Sequence, residues 1–108
     1  MNKKSFKKRP VLIISESRNN DFTVLPISTV SRKENLDSEY DFKICPEDYP
    51  KLNLQKVSYI RVHKQTTVHK KELSQEISDF KAEYEEAFRE ILILLGQFNK
   101  YIQERALE

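Results

Sequence analysis

Glycine is nearly absent, with Gly96 the only one in 108 residues. Its scarcity excludes a glycine-rich phosphate-cradling loop, which needs several positions without a side chain. Cysteine is as scarce: Cys45 stands alone. A single thiol excludes an internal disulfide framework and any Cys-x-x-Cys motif, and it favours a reducing compartment. No apolar stretch approaches the ~20 residues of a membrane span. The basic N-terminus runs into only four apolar residues, which is too short for a secretory signal. A cytoplasmic protein without membrane contact is therefore expected. Only two histidines, His63 and His69, are present. With no third ligand at a defined spacing they make a poor metal site, so neither a metal nor another cofactor is expected.

The remaining composition is that of a folded chain. Apolar residues make up 38% and charged residues 33%, but the apolar ones are clustered rather than diluted, which argues against global disorder. The length suits one domain spanning 1–108. The net charge of +2 hides an asymmetry, since residues 1–71 carry +7 and residues 72–108 carry −5. A basic N-terminal part can attract a polyanion.

The organising stretch is Arg9-Pro10-Val11-Leu12-Ile13-Ile14-Ser15. Residues 1–8 read as a basic, flexible N-terminus. The four branched apolar residues after Pro10 predict a strand buried on both faces. A second apolar run, Phe22 to Val30, follows a polar stretch with turn chemistry, Glu16 to Asp21. The two runs read as a hairpin that brings Arg9 near Ser28 and Thr29. Tyr40 to Cys45 alternates with period two and predicts a half-exposed strand. Ser58 to Val62 and Gln65 to His69 predict two more. His63 and His69, six apart, would share one face if this β segment were continuous.

Beyond residue 73 the period changes. Apolar residues at Ile77, Phe80, Tyr84, Ala87, Phe88, Ile91, Leu92, Leu94, Leu95, Phe98 and Ile102 recur in steps of three and four, so an amphipathic helical region is expected over 74–103. Ser74 or Ser78 is placed to cap it. Gly96 would mark a kink, an early end or a close packing contact. The stripe at Ile91 to Leu95 is wider than one small sheet needs, which suggests a face shared with another chain.

Taken singly, Arg9, Ser28, Arg61, Lys64 and the histidines are ordinary surface or strand-end residues. Together they form a basic set with hydroxyls and imidazoles, suited to a phosphodiester: an Arg can neutralise charge growing on phosphorus, and a His or hydroxyl can handle protons. Three stretches also resemble the PemK/MazF family of toxin–antitoxin endoribonucleases. These are Lys8 to Ser15, similar to the family's basic-Arg-Pro-apolar strand; Thr23 to Thr29, similar to its strand ending in Pro-Ile-Thr/Ser; and Ser58 to Leu73, similar to its late strand pair. The resemblance implies a mainly β domain with α content: a small, partly open SH3-like barrel over 10–73 followed by the long helix. It further implies a homodimer, a cognate antitoxin partner, and metal-independent cleavage of single-stranded RNA through the RNA 2′-OH. The family's catalytic positions fall on Arg9 and Ser28, with Thr29 adjacent. Lys7, Lys8, Arg61, His63, Lys64, Thr67 and His69 are the expected RNA contacts.

The chain departs from the family pattern twice. The usual leading strand of Gly-Asp-apolar type has no counterpart in residues 1–8, which would leave a sheet edge open. Thr66 and His69 stand where the family often has Arg and Asp. Two other functions compete: a non-catalytic RNA- or protein-binding module built on the same barrel, and a structural dimerisation protein built on the apolar helix.

Overall fold

The computed structural model describes residues 9–74 and 76–108; Lys7 and Lys8 lie outside them. Five strands are formed: β1 Val11–Glu16, β2 Asp21–Ser28, β3 Asp41–Ile44, β4 Ser58–Arg61 and β5 Thr66–His69. Two helices follow, a single turn α1 Phe80–Glu83 and the long α2 Glu85–Ala106. The domain is thus α+β, an open antiparallel sheet curled into a partly open barrel with a long C-terminal helix.

The β1–β2 hairpin closes through Arg18–Asp21, with the Asp21 amide donating to the Arg18 carbonyl at 2.7 Å. Asn19 and Asn20 both adopt positive φ, 54° and 66°. Two left-handed central residues match the right-handed twist of the flanking strands. In a chain with almost no glycine, asparagine fills these positions, and Asn53 does so again after the turn at Pro50–Leu52 (φ 56°).

β2 is the shared strand. β1 pairs along one side of it, with Val11 opposite Pro26 and Ile13 opposite Val24. Along the other side, β5 pairs with Asp21 to Val24 and β4 with Ile27 and Ser28. Pro26 falls between those two partners. The Ile27 amide donates towards β1, to the Pro10 carbonyl at 3.1 Å. Strand amides alternate in direction, so the N–H that Pro26 lacks would have pointed into the gap between β5 and β4. A proline is therefore accommodated in a central strand.

β1 corrects the expectation of a strand buried on both faces. Leu12 is buried, but Ile13 is 42% exposed and Val11 and Ile14 are half-buried. Among the described residues β1 is an edge strand with β2 as its one strand partner, and the helices cover the face that carries Leu12 and Ile14 but not the one that carries Ile13; a strand apolar on both faces needs a layer on each.

The core lies between the sheet and the helices. Leu12, Leu25, Ile44, Ile60 and Val62 meet Phe80, Ala87, Phe88, Ile91 and Leu95. An aromatic cluster ties the start of the helical region to the loop after β3. Tyr49 stacks on Phe80 at 6.1 Å and meets Tyr84 edge-on at 4.9 Å. The Tyr84 hydroxyl accepts from the Lys51 amide at 3.0 Å.

The helix begins later than expected. Neither Ser74 nor Ser78 caps it; the Asp79 carboxylate does, accepting from the Ala82 amide at 3.2 Å. The chain from His69 to Glu72 is spent on a separate capped turn, in which the His69 ring accepts from Lys71 and the Glu72 side chain accepts from the His69 amide. Tyr84, with φ −137° and ψ 61°, breaks α1 from α2. Gly96 interrupts nothing: α2 continues to Ala106, and a methyl group at Gly96 would meet no atom within 4 Å beyond its chain neighbours and the adjacent backbone of its own helix. Glycine in a helix interior costs about 0.5–1 kcal/mol relative to alanine. Gly96→Ala should therefore raise Tm by several degrees in calorimetry, a shift of roughly 4–8 °C per kcal/mol for a domain of this size. An unchanged or lowered Tm would contradict the open environment at this site.

Candidate functional site

Strand register sets the geometry of the site. Val11 stands opposite Pro26, and the Ile27–Pro10 hydrogen bond carries the pairing one residue further. Continuing this register by one residue past Pro10 brings the Arg9 position alongside Ser28. Ser28 also pairs with Tyr59 on β4, and Tyr59 with Lys43 on β3. Directly opposed residues share a face and successive residues alternate. The adjacent row, Ile27, Ile60 and Phe42, turns towards the core, where Ile60 is fully buried. Ser28, Tyr59 and Lys43 therefore form one row on the outward face, and the β1–β2 register extended past Pro10 puts the Arg9 position at its end. Arg9 and Lys43 are exposed, Ser28 and Tyr59 half-buried, and Thr29 is exposed just past the strand.

The second row on this face is an ion pair. Asp41 stands opposite Arg61. Arg61 Nε and Nη2 donate to the two Asp41 oxygens at 2.9 and 3.0 Å, and Nη2 also donates to the Asn35 carbonyl at 2.8 Å. The Asp37 amide gives Asp41 Oδ2 another hydrogen bond at 2.8 Å. The Asp41 side chain is 1% exposed. Arg61, expected as an RNA contact, is thus committed to neutralising a buried carboxylate. The Asp37 carboxylate accepts from the Glu39 and Tyr40 amides at 2.9 Å each. Burial alone would raise its pKa. The two amides, with the charges of His63 and Arg61 beyond them, outweigh burial and hold it below the ordinary value.

The histidines do not meet. The β segment is not continuous between them: a tight turn at Val62–Lys64 separates β4 from β5, the two strands expected there. On that turn, His63 Nδ1 is buried 3.7 Å from Asp41 Oδ1, with no hydrogen-bond partner among the described residues, and its ring meets Phe98 edge-on at 6.3 Å. Lys64 is exposed on the same turn. His69 pairs with Asp21 and Thr67 with Thr23, at the far end of β2. Seven residues of strand separate Asp21 from Ser28, about 23 Å. His69 and Thr67 therefore stand apart from the Arg9–Ser28 row.

A shallow depression of about 540 Å³ lies on the helical side, lined by Asp48, Glu83, Glu85, Glu86 and Glu90 among others. Its carboxylates would repel a phosphodiester, so the outward row remains the candidate. Sequence reasoning missed Lys43 as a member of that row. The alternation from Tyr40 to Cys45 showed that Lys43 faces outwards, but not which strand would lie beside it.

A family model for the PemK-like, MazF-like toxin of type II toxin–antitoxin systems matches residues 2–95. The chain belongs to this family. The match spans both strands of the Arg9–Ser28 pair and reaches α2 as far as Leu95. No curated protein matches the chain. Membership in the PemK/MazF family implies an antitoxin partner. Among the described residues no helix is long and apolar enough to cross a membrane.

Two predictions follow from the ion-pair row. Arg61→Ala leaves the Asp41 carboxylate buried without its cation, and removing one partner of such a pair costs about 3–5 kcal/mol. Replacing both residues, as Asp41→Leu with Arg61→Met, should cost much less. Urea unfolding of the three proteins distinguishes these; equal losses for single and double variants would contradict the assignment. The depressed pKa of Asp37 contributes stability that is present above the unfolded carboxylate pKa and lost as pH falls through the folded value. Asp37→Asn, which can keep the amide contacts, should flatten the fall in Tm on acidification below about pH 4. An unaltered acid limb would refute this contribution.

Proposed function

We propose that this chain is the toxin of a type II toxin–antitoxin pair and that it cleaves single-stranded RNA at the Arg9–Ser28 row without a metal ion. The reading is supported by strand register: Val11 pairs with Pro26 and the Ile27 amide bonds the Pro10 carbonyl, so the Arg9 position continues alongside Ser28, and the resemblance to the family puts its catalytic residues at these two positions. Arg9 is exposed and directly precedes Pro10, which is held to β2 by the Ile27 amide. A guanidinium can grip two phosphate oxygens at once, which an ammonium cannot.

In this reading the RNA 2′-oxygen attacks the adjacent phosphorus, and the bond from phosphorus to the 5′-oxygen breaks. The products are a 2′,3′-cyclic phosphate and a 5′-hydroxyl. Negative charge grows on the non-bridging oxygens as phosphorus becomes pentacoordinate. Arg9 stabilises it by charge and hydrogen bonds, and the Ser28 hydroxyl donates to the same oxygens or orients the 2′-OH. The 2′-OH proton ends on the departing 5′-oxygen. His63 is held against Asp41 and Phe98, and His69 caps a turn at the other end of β2, so neither imidazole stands in the row to carry that proton. Lys7 and Lys8 add positive charge before Arg9, with Thr29 as the neighbouring hydroxyl.

Growth inhibition in the cytoplasm follows from such an activity. A homodimer also belongs to the proposal. Leu92, Ile93, Tyr101 and Ile102 are large apolar residues left exposed along α2, and β1 is an edge strand among the described residues. The alternative of RNA binding without cleavage draws on the absence of a histidine from the row.

Arg9→Ala should lower the cleavage rate of a fluorogenic single-stranded RNA in EDTA about 10²–10³-fold, and Ser28→Ala by less. Tm should barely move in either variant, because neither residue belongs to the core. Parent-like cleavage by Arg9→Ala would remove the site proposal. RNA binding by the parent protein without cleavage would favour the alternative.

A further inference from the structure

Resting on the RNA-cleaving reading above, we infer that Tyr59 and Lys43 extend the site into a subsite for the nucleotide next to the cleaved phosphate, with Tyr59 stacking on its base and Lys43 contacting the following phosphate. Three observations carry this. First, register aligns Ser28, Tyr59 and Lys43 across adjacent strands, and the β1–β2 register extended one residue past the Pro10–Ile27 bond puts Arg9 next to Ser28 at the end of that row. Strands lie about 4.8 Å apart, so the row runs roughly 14 Å across the sheet. An RNA strand entering at Arg9 would cross Tyr59 and then Lys43.

Second, Tyr59 is the unmatched tyrosine. Tyr40 meets Phe98, Tyr49 meets Phe80 and Tyr84, and Tyr101 stacks on Phe98. The Tyr59 ring has no aromatic partner among the described residues, and it is half-buried on the face opposite the core. A flat ring held in the middle of a sheet surface is the platform that single-stranded nucleic-acid binders use, because every base offers a π-face. Third, the neighbouring charges are sorted. Arg61, on the same strand and face, is consumed by Asp41 and the Asn35 carbonyl. Lys43 is exposed and forms no ion pair among the described residues. The cation available beyond Tyr59 is therefore Lys43.

Stacking tolerates any base, so this subsite would add affinity without reading sequence. It would raise KM more than it lowers kcat when removed, whereas Arg9 acts on turnover. The test uses the full chain and a fully 2′-O-methylated single-stranded oligonucleotide, which cannot be cleaved, followed by fluorescence anisotropy. Tyr59→Leu keeps apolar bulk at a half-buried position but removes the ring. Its affinity should fall about ten- to hundredfold, with Tm near that of the parent. Tyr59→Phe should restore parent affinity, since stacking needs no hydroxyl. Lys43→Ala should lower the slope of log K against log salt by about 0.7, the value for one phosphate on a single strand. Parent-like affinity of a folded Tyr59→Leu, or failure of Tyr59→Phe to restore binding, would overturn the subsite alone. A parent protein that binds no single-stranded RNA would overturn the underlying reading as well.

Discussion

The architecture depends on a change of partner along one side of β2. That strand keeps β1 beside it throughout, but exchanges β5 for β4 between Val24 and Ile27. Pro26 stands at the exchange, where its missing amide leaves no ladder position empty. Because the exchange divides β2 into two ends, it also divides the polar residues. Ser28, Tyr59 and Lys43 gather at the β4 end with Arg9, while Thr67 and His69 gather at the β5 end. One strand thus decides which polar side chains share a row.

Two arginines show how burial assigns roles to one residue type. Arg61 lies beside a carboxylate that is almost wholly removed from water, and its guanidinium fork matches both oxygens of that carboxylate. Desolvation makes the pair mutually dependent, so Arg61 holds the β3–β4 edge and the Asn35 turn in place. Arg9 sits at the sheet margin with its head in solvent, where an incoming anion can displace only water. The same sorting separates Lys51, paired with Glu83 near the helical region, from Lys43, which faces outwards beside Tyr59. The net charge of the basic half therefore overstates the positive charge left unpaired.

The β1–β2 hairpin was legible because it is local. Two apolar runs joined by a short polar turn leave few registers, and Asn19-Asn20 supplies the left-handed residues that set one of them. Long-range register was not legible: nothing in the alternation of β3 or β4 states that Lys43, Tyr59 and Ser28 would align. The histidines were misjudged because Val62 and Val68 continue a β-like pattern through a segment that turns at Val62–Lys64. The helix start was misjudged because Ile77 fits the helical spacing yet is 60% exposed, and the cap falls on Asp79. Periodicity records which residues prefer burial; it does not record where tertiary packing supplies it.

The central claim is that the outward face at the β4 end of β2 cleaves RNA by internal attack of the 2′-oxygen, with Arg9 carrying the developing charge. The most direct measurement is analysis of the chain ends left when the purified protein is incubated with a mixed-sequence single-stranded RNA in EDTA. The account predicts 2′,3′-cyclic phosphate and 5′-hydroxyl ends, formed by the parent protein and nearly lost in Arg9→Ala. Fragments bearing 3′-hydroxyl and 5′-phosphate ends, or RNA left intact, would contradict it.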